Sequence, residues 1–190
     1  MRELRQFGVH VANGILPVFI FVGLLLACGC VTEEDEPEWS LGEGDCLPDF
    51  SVETIGGEVV SAEGLRGRVA VVVLFNTSCP DCQTELPRVQ AVYEKMMAEE
   101  PEGVGFLCIS RQEGRGAVVE YWAANGLTLP VAPQEDRVVY EKFASVGIPR
   151  IYVADGNGVI VAAFSDRDLP SAGEIADAIS VGLSTMPRNW

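Results

Sequence analysis

The sequence predicts an α/β domain of three layers built on a mixed central β-sheet, and three observations carry that expectation. Residues 68–75 (Arg-Val-Ala-Val-Val-Val-Leu-Phe) and 104–110 (Val-Gly-Phe-Leu-Cys-Ile-Ser) are almost continuous apolar runs, the pattern of strands buried on both faces. Residues 80–100, between them, have helical spacing, with Leu86, Val89, Tyr93 and Met96 or Met97 on one side. A helix linking two buried strands is a crossover, which makes those strands parallel. Residues 150–154 and 159–164 flank Asp155-Gly-Asn-Gly158, a strong hairpin signal that adds antiparallel strands.

The remaining elements follow in chain order. Residues 49–54 alternate polar and apolar, and Gly56-Gly57 turns them into a second short strand at 58–61. Pro87 falls inside the first helix and is expected to kink it. Residues 117–125 form a helix closed by Gly126, and 135–145 another closed by Gly147. Residues 174–183 form a terminal helix. No internal repeat is visible. The 190 residues suit one domain, at 41–190, behind a targeting segment, and 48% hydrophobic residues suffice for a core.

That targeting segment is legible at the start of the chain. A short basic stretch with Arg2 and Arg5 precedes the apolar run 15–27, which has the length of a signal-peptide core and is short for a bilayer span. Residues 1–27 are therefore expected to be a signal peptide. Leu25-Leu-Ala-Cys28 resembles the lipobox of bacterial lipoproteins, which makes Cys28 the expected lipidation site, with Cys30 the alternative. An uncleaved anchor over 9–27 is the other reading, and both place the domain outside the cytoplasm. Residues 28–40 then serve as attachment point and tether, because Glu33-Glu-Asp-Glu-Pro-Glu38 is too charged to pack. The expected location is the cell envelope, lipid-anchored and facing the periplasm. Acidic runs behind a lipidated cysteine also resemble an outer-surface signal of some bacterial lineages.

Charge and composition exclude several functions. The net charge is −15, from 28 acidic and 13 basic residues. Removing residues 1–27 leaves 27 acidic and 11 basic residues, a net of −16. Such a surface repels phosphate backbones, so no nucleic-acid partner is expected. The only histidine, His10, lies in the targeting segment. Serine–histidine and cysteine–histidine catalysis and histidine-ligated metals are thereby excluded from the domain, whose chemistry must run on thiols and carboxylates.

Cys79-Pro80-Asp81-Cys82 stands where the valine-rich strand ends and a helix begins. Disulfide exchange needs a thiolate, and unpaired N–H groups at a helix start favour the anion. Cys79 is expected to attack, and Cys82, one turn further on, to resolve the mixed disulfide. Residues 75–87, Phe-Asn-Thr-Ser-Cys-Pro-Asp-Cys-Gln-Thr-Glu-Leu-Pro, resemble the active-site segment of the membrane-tethered oxidoreductases of the TlpA/ResA type. The likeness runs from about residue 42 to 164 and implies a thioredoxin-like three-layer sandwich. It also implies that Glu85 is a partly buried carboxylate relaying protons to the thiols. Gly147-Ile-Pro-Arg-Ile-Tyr-Val153 resembles the family's cis-proline strand, which implies that Ile148 and Pro149 bind an extended substrate. Ser78 replaces the family's usual tryptophan, and Asp81 its usual proline. An acidic residue beside the thiols opposes the thiolate and favours the reducing direction.

The expected partners are protein thiol or disulfide substrates and an upstream electron donor, with no cofactor, no metal and a monomeric chain. A zinc site would need Cys46 and Cys108, which are far apart in the sequence, as further ligands. A peroxidase of the peroxiredoxin type would want threonine three residues before the cysteine and a proline further upstream, where Asn76 and Val72 stand. Cys108 is expected to be a buried hydrophobe, with a Cys46–Cys108 disulfide the alternative. Tyr121 and Trp122 read as core, Asp136 and Arg137 as surface. The alternative function is a non-catalytic peptide-binding module in which Cys79 and Cys82 form a structural disulfide.

Overall fold

A computed structural model describes residues 38–186. The expected signal peptide, Cys28, Cys30 and most of the tether lie outside the described residues.

The centre of the domain is two seven-residue strands, β3 (Val69–Phe75) and β4 (Val104–Ser110), buried at every position. Strands covered on both faces can be apolar throughout, which is why no alternation marks them in the sequence. They pair in parallel, Val69 opposite Val104 through Phe75 opposite Ser110. The crossover that parallel pairing requires is α1 (Pro80–Glu99). A short hairpin, β1 (Ser51–Glu53) with β2 (Val59–Ser61), precedes this unit as a separate antiparallel sheet. After β4 come α2 (Arg115–Asn125) and the two-residue β5 (Val131–Ala132), then β6 (Arg150–Ala154), β7 (Ile160–Phe164) and α3 (Ala172–Thr185). The main sheet runs β5-β4-β3-β6-β7, with β6 antiparallel to both of its neighbours.

The predicted mixed α/β sheet is therefore present, and its turns form where the residues demanded them. Asp155 shapes the β6–β7 turn by accepting from the Asn157 and Val159 N–H groups, both at 2.9 Å. Gly126 ends α2 in the left-handed region, at φ 64°. Ser171 and Glu174 form a reciprocal capping box at the start of α3. α1 continues through Pro87, where a kink was expected.

One predicted element is corrected. The helix expected over 135–145 is only a 3-10 turn at Tyr140–Lys142. Its apolar spacing is genuine, since Val139, Tyr140, Phe143 and Ala144 are all buried. The backbone, however, is committed elsewhere. Leu41 N–H donates to Phe143 O at 2.9 Å, Ser145 N–H to Trp39 O at 2.9 Å, and Ser40 bridges to Ala144. Pairing with a distant segment competes with helix propagation, and here it wins. β5, too short to carry a period, was not foreseen.

The two sheet faces have different covers. One face of β3, through Val69, Val71, Val73 and Phe75, packs with buried residues of α1, α2 and α3. The other, through Ala70, Val72 and Leu74, packs with Leu47, Phe50, Val52, Leu65 and the 139–144 turn. Cys108 is fully buried on the helical face, as a small hydrophobe would be. Exposed Cys46 bridges to Val159 beside β7. Three strand spacings separate β4 from β7, roughly 14 Å, twice the usual Cα limit for a disulfide. The alternative Cys46–Cys108 bridge is thus geometrically excluded, and neither thiol has a disulfide partner among the described residues. Trp122 is core as expected, its ring 5.0 Å from Phe75 and its indole N–H donating to Leu129 O at 3.0 Å. Tyr121 is half-buried against the same cluster. Asp136 is exposed, while Arg137, expected at the surface, is half-buried over the Tyr140 ring.

Candidate active site

The sheet brings two distant segments to one edge. β3 ends at Phe75, and β6 begins at Arg150, which pairs with Leu74. The turn leading into α1 and the Gly147-Ile148-Pro149 loop therefore meet at the same end of the sheet. The Ile148–Pro149 peptide is cis. The Cys79 thiol faces the Ile148 carbonyl, with Sγ 3.6 Å from the oxygen.

Cys79 is the N-cap of α1, extended at φ −82° and ψ 120°, with Pro80 opening the helix. Proline suits that position because its missing N–H would have no intrahelical partner there. Cys79 is half-buried, and Cys82, one turn later, is fully buried. Burial pushes the Cys82 thiol far above its ordinary range, hydrogen bonding to the Asn76 backbone opposes this, and Cys79 and Asp81 push it further up. The two sulfur groups thus differ in access. One can be reached by a large partner; the other stays a neutral thiol behind it.

The turn before Cys79 is held by side chains that sequence reasoning did not single out. Asn76 Oδ1 accepts from the Ser78 N–H at 2.9 Å, and Asn76 Nδ2 donates to Arg111 O at 3.0 Å. The Glu113 carboxylate accepts from the Thr77 N–H at 3.0 Å and also from the Thr77 hydroxyl. Gln83 Nε2 reaches back to Thr77 O at 2.8 Å. Glu113 is far away in sequence and sits in no motif, so nothing linear points to it.

Glu85 lies three residues beyond Cys82 on the buried face of α1, a spacing that makes the two side chains neighbours. Its side chain is almost completely buried. Arg88 Nη1 donates to Glu85 Oε2 at 3.0 Å and also to the carbonyls of Leu169 and Pro170, at 3.2 and 3.3 Å. Glu85 Oε1 has no partner among the described residues. Burial raises the Glu85 carboxyl above its ordinary value, against the pull of Arg88 and with a further push from Glu174. Sequence comparison implied this buried carboxylate; its arginine partner was not foreseen.

A Cys-x-x-Cys pair at a strand-to-helix junction, facing a cis-proline loop, on a β5-β4-β3-β6-β7 sheet, defines a thioredoxin-like domain. The chain belongs to the AhpC/TSA family, whose sequence pattern matches residues 44–163. It is 24% identical over 122 residues to the thiol-disulfide oxidoreductase ResA of Bacillus subtilis, a match covering 64% of this chain and 66% of that protein. The chain thus spans just under two thirds of that relative's length. A thiol:disulfide interchange protein of the thioredoxin family from Chlorobium tepidum superposes with a TM-score of 0.63 at 25% identity, covering 74% of this chain and 97% of that one. A secreted thiol-disulfide isomerase from Corynebacterium glutamicum has the same fold, with a TM-score of 0.66 at 19% identity, covering 80% of this chain and 95% of that one. The resemblance to the TlpA/ResA type read from residues 75–87 agrees with these relatives.

Proposed function

We propose that this protein is an exported thiol–disulfide oxidoreductase that reduces disulfides of other extracytoplasmic proteins through Cys79 and Cys82. The observation that carries the reading is the asymmetry of the pair: an accessible Cys79 at the start of α1, a buried Cys82 behind it. In the forward reaction the Cys79 thiolate attacks a substrate disulfide, forming a mixed disulfide and releasing one substrate thiolate, which takes a proton. The Cys82 thiol then gives its proton to the Glu85 carboxylate and attacks Cys79 Sγ. The second substrate sulfur leaves as a thiolate and is protonated. Two electrons have passed to the substrate, and Cys79 and Cys82 are joined. A thiol donor elsewhere in the envelope resets them. No cofactor takes part.

Glu85 suits the proton step because its Oε1 is an acceptor with no competing partner among the described residues. Ile148 and Pro149 would hold the substrate chain beside Cys79, with the Ile148 backbone pairing to an extended segment. Cys82 supports the reducing direction. A thiol this reluctant to ionise is a poor leaving group from the disulfide, which favours the oxidised pair and makes the reduced pair the stronger reductant. Export and lipid attachment at Cys28 rest on the first thirty residues. Among the described residues no helix is long and apolar enough to cross a membrane.

The test is a disulfide-reduction assay with insulin, comparing wild type with Cys79→Ala and Cys82→Ala. Wild type should reduce insulin, Cys79→Ala should be inert, and Cys82→Ala should accumulate a mixed disulfide. A measured potential more oxidising than about −150 mV, towards the value of about −120 mV at which strong oxidants sit, contradicts the reducing direction. A Cys79 that resists alkylation in the reduced native protein leaves only the peptide-binding alternative.

A further inference from the structure

Four consecutive carbonyls lead up to the reactive thiol, and none is held by a strand or helix ladder. Each is taken by a side-chain donor. Arg137 Nη2 donates to Ser145 O at 2.6 Å, Arg150 Nη2 to Val146 O at 2.7 Å, and the Tyr140 hydroxyl to Gly147 O at 2.7 Å. The fourth, Ile148 O, accepts from Cys79 Sγ at 3.6 Å. The donors are themselves interlocked. The Arg111 and Arg137 guanidinium groups lie over the Tyr140 ring, 4.8 and 4.9 Å from its centroid. Tyr140 is one of the largest fully buried side chains of the domain. Burial raises its phenol although Arg111, Arg150 and Arg137 pull it down, so it remains a donor at neutral pH.

Gly147 is in the left-handed region at φ 82°, and a Cβ there would lie 2.7 Å from Asp166 Oδ1 and 2.8 Å from Arg150 Nη2. A segment without ladder bonds takes its position from the donors that meet its carbonyls, at half-buried Ser145 and Gly147 and exposed Val146 alike. Here those donors are Arg137, Tyr140 and Arg150.

We propose that Tyr140, with Arg137 and Arg150, is the positioning set of the substrate-docking loop: it holds carbonyls 145–147 and thereby places the Ile148 backbone against Cys79. The assignment rests on the exchange function proposed above and deepens it. The set governs how an extended polypeptide is presented to the thiol, and reaches the thiol itself only through the single long Cys79 Sγ contact to Ile148 O at 3.6 Å. It therefore makes the protein discriminate polypeptide disulfides from small ones.

The experiment is Tyr140→Phe, which keeps the ring and removes only the hydroxyl, with dithiothreitol recycling the enzyme. A reacting group misplaced by about 1 Å can lose about a hundredfold in rate, so kcat/KM for insulin should fall about tenfold, mainly through KM. Single-turnover reaction of the pre-reduced enzyme, freed of dithiothreitol, with a small aromatic disulfide, dithiobisnitrobenzoate, needs no docked strand and should change less than about twofold by the same reasoning. A role in folding alone would lower both activities together with the thermal midpoint. Should Tyr140→Phe fail to fold, Arg137→Met, which removes the donor to Ser145 from a half-buried site, must show the same split. Equal losses on the two substrates, or no loss on insulin, overturn the assignment while an active wild type leaves the exchange function standing. A wild type inert towards both disulfides overturns the exchange function, and this assignment with it.

Discussion

Cys79 and Cys82 are separated by two residues and occupy different environments. The first caps a helix and is half-buried; the second faces the apolar cluster beneath α1, alongside Leu86 and Val89. Glu85 belongs to that buried side as well, and its ionisation is the residue-scale property most open to measurement. Its carboxyl is raised above 4.5 by burial. A group raised in the folded state contributes stability below its unfolded value, and that contribution is lost as pH rises through the folded value. Wild type should therefore lose urea stability relative to Glu85→Gln as pH increases from about 4.5 to neutrality. Paired urea titrations check this. A wild type that gains on the variant over the same window would show that the Arg88 ion pair outweighs burial.

At the scale of the element, the start of α1 is held from outside. Pro80 and the N-cap geometry begin the helix, but the preceding turn takes its shape from Glu113, beyond β4, through both the N–H and the hydroxyl of Thr77. Replacing Glu113 with alanine leaves those donors without a partner and should cost about 1 kcal/mol, a typical net value for lost hydrogen bonds in a partly exposed site. Faster amide exchange at Thr77, with the rest of α1 unchanged, is the accompanying signature. The 135–145 segment makes the same point in reverse. Its buried residues follow a helical period, yet Phe143 O and Ser145 N–H pair with Leu41 and Trp39 instead of extending a helix. Local periodicity described which side chains go inside. It did not describe where the backbone bonds go.

Across the whole molecule, the cysteines are sorted by the sheet. Cys79 and Cys82 share a helix start, Cys108 is sealed under the helices, and Cys46 is exposed beside β7. Peptide mapping of the air-oxidised domain should therefore find one bridge, Cys79–Cys82, with Cys46 and Cys108 alkylatable only as free thiols. A mapped Cys46–Cys108 bridge would contradict the strand order. The strong negative charge acts at this scale too, opposing approach to anionic surfaces.

The linear sequence by itself determined the buried strands, the crossover, the hairpin and the thiol pair, because each depends on residues adjacent in the chain. A valine run, a Cys-Pro-Asp-Cys at its end and an Asp-Gly-Asn-Gly turn are local chemistry. The tertiary structure alone decided the loss of the 135–145 helix, the separation of Cys46 from Cys108, and the side chains that hold the site. Glu113 reaches Thr77 and Arg88 reaches Leu169 across dozens of residues, and the Tyr140, Arg137 and Arg150 bonds to the loop, though short in sequence, follow no helix or strand ladder. Such contacts leave no period in the sequence, since a hydrogen bond between distant segments constrains only the two atoms that meet.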